Sequence, residues 1–155
     1  MTKTLADLQS CQLEEALLLN NQLCFALYST SLAMTKSYKP LLEALGLTYS
    51  QYIVMLILWE KDGCSLKDIA DKLFTESGAL TPVLKRMQEM GLLIRSRSVQ
   101  SERTLEIRLT DAGRALKLHA ADVLKQIGKN CGLPLTDIVA LREQLKTLRQ
   151  NLLHL

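Results

Sequence analysis

SLKDIADKLFTESGALTPVLKRMQEMGLLIRSRSVQSERTLEIRLT, residues 65–110, changes its apolar period partway along, and that change decides the fold. Up to Gly91 the apolar residues recur at three and four: Leu66, Ile69, Ala70 and Leu73, then Leu80, Val83, Leu84, Met87 and Met90. That spacing gathers each set on one helix face and predicts both sets as core. Ser65 is placed to cap the first helix and Gly91 to stop the second. Pro82 leaves the second helix two possible starts. Thr81 could cap it with Pro82 as the first helical residue, or it could begin at Ser77, with Pro82 costing a hydrogen bond in the second turn. Past Gly91 the pattern alternates in LLIRSRS and TLEIRLT, with Leu93, Leu105, Ile107 and Leu109 predicted to face inward. With the polar VQSER between them, these segments predict an antiparallel hairpin.

Helix, turn, helix and hairpin is the order of a winged helix-turn-helix, whose second helix enters the DNA major groove while the hairpin lies along the backbone or minor groove. Lys85 and Arg86 fall on the second helix, and Arg95, Arg97 and Arg103 on the hairpin, against Glu76, Glu89 and Glu102 nearby. Ser77, Thr81 and Gln88 add hydrogen-bonding side chains for phosphates or base edges. Arg103, near the hairpin tip, could reach a narrow minor groove. On charge alone these residues could equally be a solvated face, since the whole chain carries only +3 over 155 residues. Joined to the element order, they predict double-stranded DNA as a partner.

Outward from this module, residues 12–37 run without Pro or Gly at helical spacing, and Pro40 ends or bends that helix. A short helix with Leu41, Leu42 and Leu45 would then stop at Gly46. A further helix is predicted from about Ser50, as cap, to Lys61, buried on most sides. Thr110 should cap a helix from 111 to about 129, and Thr136 the last one. In that last helix Ile138, Leu141, Leu145, Leu148 and Leu152 form a 3-4 seam that needs an apolar partner, read as another subunit. The fold class is therefore mainly α with a small β-hairpin wing. The organisation is one domain over 1–155: a winged module at about 50–110, and dimerisation helices at about 10–45 and 111–153. A homodimer would set two recognition helices about 34 Å apart, over a pseudo-palindromic operator.

Composition narrows the other classes. Hydrophobic residues make up 48% and aromatics only 5%, which favours a helical aliphatic core. The beginning of the chain does not read as a secretory signal, and the longest strongly apolar run, IVMLILW at 53–59, is far short of the ~20 residues that span a bilayer. The expectation is a cytoplasmic protein without membrane contact. Cys11, Cys24, Cys64 and Cys131 show no CxxC or Cys/His spacing, so neither a metal nor a cofactor is expected.

The segments DIADKL, SGALTPVLKRMQEMGLLIRSRS and SERTLEIRLTDAG resemble the winged-helix core of the MarR family of dimeric bacterial repressors. NNQLCFALYSTSLAMTKSYKPLLEALGLTYSQYIVMLILWE, with NQLCFALY as its most specific part, is similar to the organic hydroperoxide resistance (OhrR) type within that family. The resemblance implies a repressor, not an enzyme, that senses organic (alkyl or lipid) hydroperoxides by oxidation of Cys24. It implies that Tyr38 and Tyr49 hydrogen-bond the thiol, with Tyr28 beside it. It implies that Cys131 of the other subunit forms a disulfide with oxidised Cys24, which releases the operator; Cys11 is a rival resolving thiol. The chain departs from the pattern at Ser101, where the family carries an acidic residue two positions before the wing arginine, here Arg103.

The chemistry suits those residues. A thiolate attacks the O–O bond to give sulfenic acid. An ordinary thiol, with pKa about 8.5, is mostly protonated at neutral pH, and phenol donors would favour the charged sulfur. Apolar neighbours, among them Phe25, Leu27, Tyr52 and Ile53, would suit an alkyl hydroperoxide. Three other readings compete: a MarR-type repressor released by a small aromatic ligand with Cys24 merely packed, a thiol peroxidase, for which no redox-partner motif is visible, and a winged helix that binds protein, against which a strong salt dependence of DNA affinity would argue. Cys64, after Asp62-Gly63, reads as a packing residue.

Overall fold

The computed structural model describes residues 13–98 and 101–154, and their side chains except those of 98 and 101–104. The chain divides into two compact units, one ending at Ser37 and one beginning at Tyr38.

The predicted helix over 12–37 is interrupted. A helical stretch at 13–16 gives way to a 3-10 turn at Leu19–Asn21, and Gln22 is extended. The cause is side-chain competition for carbonyls: Asn21 Nδ2 donates to Glu15 O (2.8 Å) and Gln22 Nε2 to Ala16 O (2.5 Å), taking acceptors that a continuing helix would use. Helix α1 then runs Leu23–Glu43 straight through Pro40, which neither ends it nor leaves a separate short helix behind it. Gly46, at φ 69°, makes the turn that follows.

Helix α2 (Tyr49–Glu60) is capped by Thr48, not Ser50. Thr48 Oγ1 accepts from Gln51 N while Gln51 Oε1 accepts from Thr48 N, a reciprocal box. Val54, Met55 and Leu58 of this helix are fully buried, as the apolar run predicted. Strand β1 (Cys64–Ser65) follows, then α3 (Leu66–Lys72), α4 (Ser77–Glu89), β2 (Leu93–Ser98) and β3 (Ser101–Leu109). Ser65 caps α3 through a second box with Asp68. Helix α4 begins at Ser77, so Pro82 sits inside it. Gly91 stops α4 at φ 71°.

The hairpin joins a three-stranded antiparallel sheet in the order β1-β3-β2, with Cys64 opposite Ile107 and Ile107 opposite Arg95. Strand β1 is too short to leave an alternating pattern and went unpredicted. Leu93, Ile107 and Leu109 point into the core with Ile69, Leu84 and Met87, whereas Leu105 is only half-buried and Met90 is exposed.

Thr110 caps α5 (Asp111–Asn130), accepting from Gly113 N. The last helix, α6 (Leu135–Leu153), follows Pro134 and has no side-chain cap; Thr136 lies inside it. Its seam is uncovered in the single chain, with Leu141, Leu145 and Leu152 exposed and Ile138 and Leu148 half-buried. Among the described residues, no helix is long and apolar enough to cross a membrane.

Candidate DNA-binding surface and thiol site

Helix α4 presents Thr81, Lys85 and Arg86 to solvent, with Ser77 half-buried one turn before Thr81. Ser77, Thr81 and Lys85 follow at intervals of four and so share a face. Leu80, Leu84 and Met87 bury the adjoining face, about a quarter-turn round the helix, which leaves Ser77 half-buried and Thr81 and Lys85 exposed. Thr81 Oγ1 donates to Ser77 O (3.2 Å), which leaves its lone pairs outward.

The wing cations are not alike. Arg97 is exposed, whereas Arg95 is half-buried and engaged: its backbone N–H (3.1 Å) and Nε (3.0 Å) both donate to Gln88 Oε1. The sequence offered Gln88 and Arg95 as separate DNA contacts; the structure ties them together. The side chains of Ser101 and Arg103 lie outside the described residues.

In the unit that ends at Ser37, Cys24 and Tyr28 are exposed on the first turns of α1. In the other unit, Tyr38 stacks at a tilt on Tyr49 (ring centroids 5.1 Å) and Tyr52 (5.7 Å), and Tyr52 meets the edge of Trp59 (6.3 Å). Tyr49 and Tyr52 lie three apart on α2, so one helix face supplies both. The sequence reading counted Tyr52 only as an apolar neighbour, although that spacing was its signal. Burial first, then the neighbouring Tyr52, Tyr49 and Cys131, push the Tyr38 phenol up to about 12. It therefore stays protonated and is a hydrogen-bond donor at neutral pH.

Cys131, half-buried at the C-terminal cap of α5, lies within electrostatic reach of Tyr38. Gly132 follows at φ 64°, where the chain turns toward α6. Cys64 is a packing residue: it is buried, its Sγ donates to Lys61 O (3.0 Å), and burial raises its pKa, making the reactive anion scarcer. Cys11 lies outside the described residues. Among the described residues, no group of three or more His, Cys, Asp or Glu could hold a metal ion.

An exposed polar recognition helix with a basic wing fastened to it defines a winged-helix DNA-binding protein. Comparison with known proteins agrees. The family model for transcriptional regulator SarA/Rot matches residues 36–119. The organic hydroperoxide resistance transcriptional regulator of Bacillus subtilis (strain 168) is 44% identical over 137 residues, covering 86% of this chain and 91% of that one. Among solved structures, reduced AbfR bound to DNA is 36% identical, with a TM-score of 0.75 over 88% of this chain and 93% of the other. The disulfide form of AbfR, a protein of Staphylococcus epidermidis, is 34% identical, with a TM-score of 0.62 over 96% of this chain and 97% of that one. The chain belongs to the MarR family of winged-helix transcriptional regulators and, within it, to the organic hydroperoxide resistance type.

Proposed function

We propose that this regulator is a repressor that senses organic hydroperoxides through Cys24 and resolves the oxidised sulfur with Cys131 of a second copy. The Cys24 thiolate attacks the O–O bond and takes the terminal oxygen, and the alkoxide leaves as an alcohol after protonation. The resulting sulfenic acid condenses with the Cys131 thiol, forming the disulfide and releasing water. The peroxide is the oxidant and is reduced by two electrons.

The observation that supports this reading is the phenol cluster: Tyr38 stacks on Tyr49 and Tyr52, and burial pushes its phenol up to about 12, so that it is a protonated donor at neutral pH with Cys131 among its neighbours. A sulfur that accepts from Tyr38 is thereby brought into the neighbourhood of the resolving thiol. Exposed Leu23, Leu27, Tyr28 and Leu32 on α1, and the uncovered α6 seam, are apolar surfaces that a second copy would cover. AbfR, solved both reduced on DNA and with a disulfide formed, supports thiol chemistry in this fold at 36% and 34% identity.

The test is DNA binding before and after stoichiometric cumene hydroperoxide, for the unmodified chain and for Cys24→Ser. The unmodified protein should release the duplex and Cys24→Ser should retain it. Retention by both, with release by an aromatic acid instead, would replace the thiol reading with a ligand-gated one.

A further inference from the structure

We propose that Gln88 is a positioning residue for DNA binding: its amide oxygen clamps the wing to the recognition helix, and Arg95 is part of that clamp instead of a DNA-contacting cation. The inference rests on the reading of the wing as a DNA contact. Gln88 lies in the last turn of α4 and Arg95 is the third residue of β2. Two donors of Arg95 converge on the one oxygen, the backbone N–H at 3.1 Å and Nε at 3.0 Å.

The position of this contact in the sheet gives it its effect. β2 is an edge strand, and its outward N–H groups have no ladder partner. Arg95 stands opposite Ile107, and Ile107 opposite Cys64, so the row is held on one side by β1 and the start of α3, and on the other by Gln88. The root of the wing is fixed separately, by Leu92 N–H to Met87 O (3.0 Å), Thr110 N–H to Leu92 O (3.1 Å) and Thr110 Oγ1 to Gly91 O (2.6 Å). Gln88 thus ties α4 to the wing beyond its root. Two residues further out on the same face of the strand, about 7 Å on, stands the exposed Arg97. Its reach toward a phosphate, relative to a helix seated in the major groove, is set by that tie.

The experiment uses the full-length reduced chain and a duplex that it selects from a random-sequence pool. The salt dependence of affinity and the hydroxyl-radical footprint are measured for Gln88→Met, Gln88→Glu, Arg95→Lys and Arg97→Ala. Arg97→Ala should lower the salt slope of the dimer by about two, one for each wing, and remove protection at the flanks that the wings cover. Gln88→Met, which keeps the length but lacks the acceptor, should reproduce both losses and weaken binding several-fold. It should leave the thermal midpoint and the central, recognition-helix protection intact. Gln88→Glu, which keeps the acceptor, should restore the flank protection. Arg95→Lys, which keeps the charge but lacks Nε, should lose part of it. If Gln88→Met retains slope and flank protection while Arg97→Ala loses both, the clamp proposal is overturned and the wing reading stands. If Arg97→Ala changes neither, the wing reading fails and takes the proposal with it. If Arg95→Lys keeps the full flank protection, Arg95 acts by charge and the clamp is again overturned.

Discussion

The same substitution at two positions of α5 should have opposite effects on stability. A Cβ added at Gly113 would lie 2.1 Å from Leu92 O and 3.1 Å from Leu109 Cδ2. The carbonyl is backbone and is already engaged with Thr110 N, so α5 would have to move by roughly 1 Å to reach ordinary contact. That end of α5 is held on two more sides: Gly113 N donates to Thr110 Oγ1 (3.1 Å), and Trp59 Nε1 donates to Gly113 O (2.9 Å). Overpacking costs about 1–3 kcal/mol and two or three weakened hydrogen bonds about 1 kcal/mol each. Removing a helical glycine returns about 1 kcal/mol. Gly113→Ala should therefore destabilise by about 2–5 kcal/mol. At Gly128, further along the same helix, an added Cβ meets nothing within 4 Å. Gly128→Ala should stabilise by about 0.5–1 kcal/mol. Urea unfolding at a fixed protomer concentration measures both. A Gly113→Ala variant within about 0.5 kcal/mol of the parent would refute the close-approach reasoning.

Two further outcomes follow from the side-chain chemistry. If Tyr38 donates to the attacking sulfur, as proposed, Tyr38→Phe removes a hydrogen bond of about 1.5–3 kcal/mol. The rate of Cys24 oxidation by cumene hydroperoxide should fall roughly 10- to 100-fold, as followed by stopped-flow thiol consumption; an unchanged rate would remove Tyr38 from the site. Asp62 joins α2, β3 and α5. Its burial opposes ionisation, but backbone donors from Leu109 and Gly63 and the Arg114 guanidinium outweigh that and hold its pKa below the ordinary 3.8. A lowered carboxylate contributes stability above its unfolded pKa and loses it as pH falls through the folded one. Urea stability of the parent should therefore drop more steeply than that of Asp62→Asn as pH is lowered below 3.8; parallel curves would show that Asp62 is not the acid-sensitive group.

The winged module was legible because periodicity and capping there agree. Ser65 with Asp68, Gly91 and Thr110 all act at the positions that local rules assign. Local rules failed where two residues could do one job or where packing prevailed. Thr48 and Ser50 both suit a cap, and the box with Gln51 decides for Thr48. Pro40 should end a helix, yet α1 continues through it to bring Leu42, 1% exposed, into the core. The 12–37 segment has no Pro or Gly to mark its break, which comes from the amides of Asn21 and Gln22. Pairings across the chain left no local trace: Cys64 with Ile107, and Gln88 with Arg95, whose partners are set by the sheet and not by spacing. For the thiol site, the sequence supplied the residue types through resemblance. The ring stacking of Tyr38 on Tyr52 and the nearness of Cys131 to Tyr38 required the packed chain.

The central claim is a covalent one, and peptide mapping tests it directly. The reduced protein is treated with one equivalent of cumene hydroperoxide, blocked with an alkylating agent, separated on a non-reducing gel and digested without reduction. The expected product is a cross-linked dimer whose digest contains one peptide pair joined through Cys24 and Cys131. A DNA-free oxidised protein that stays monomeric on the gel, with Cys131 fully alkylated, would contradict it.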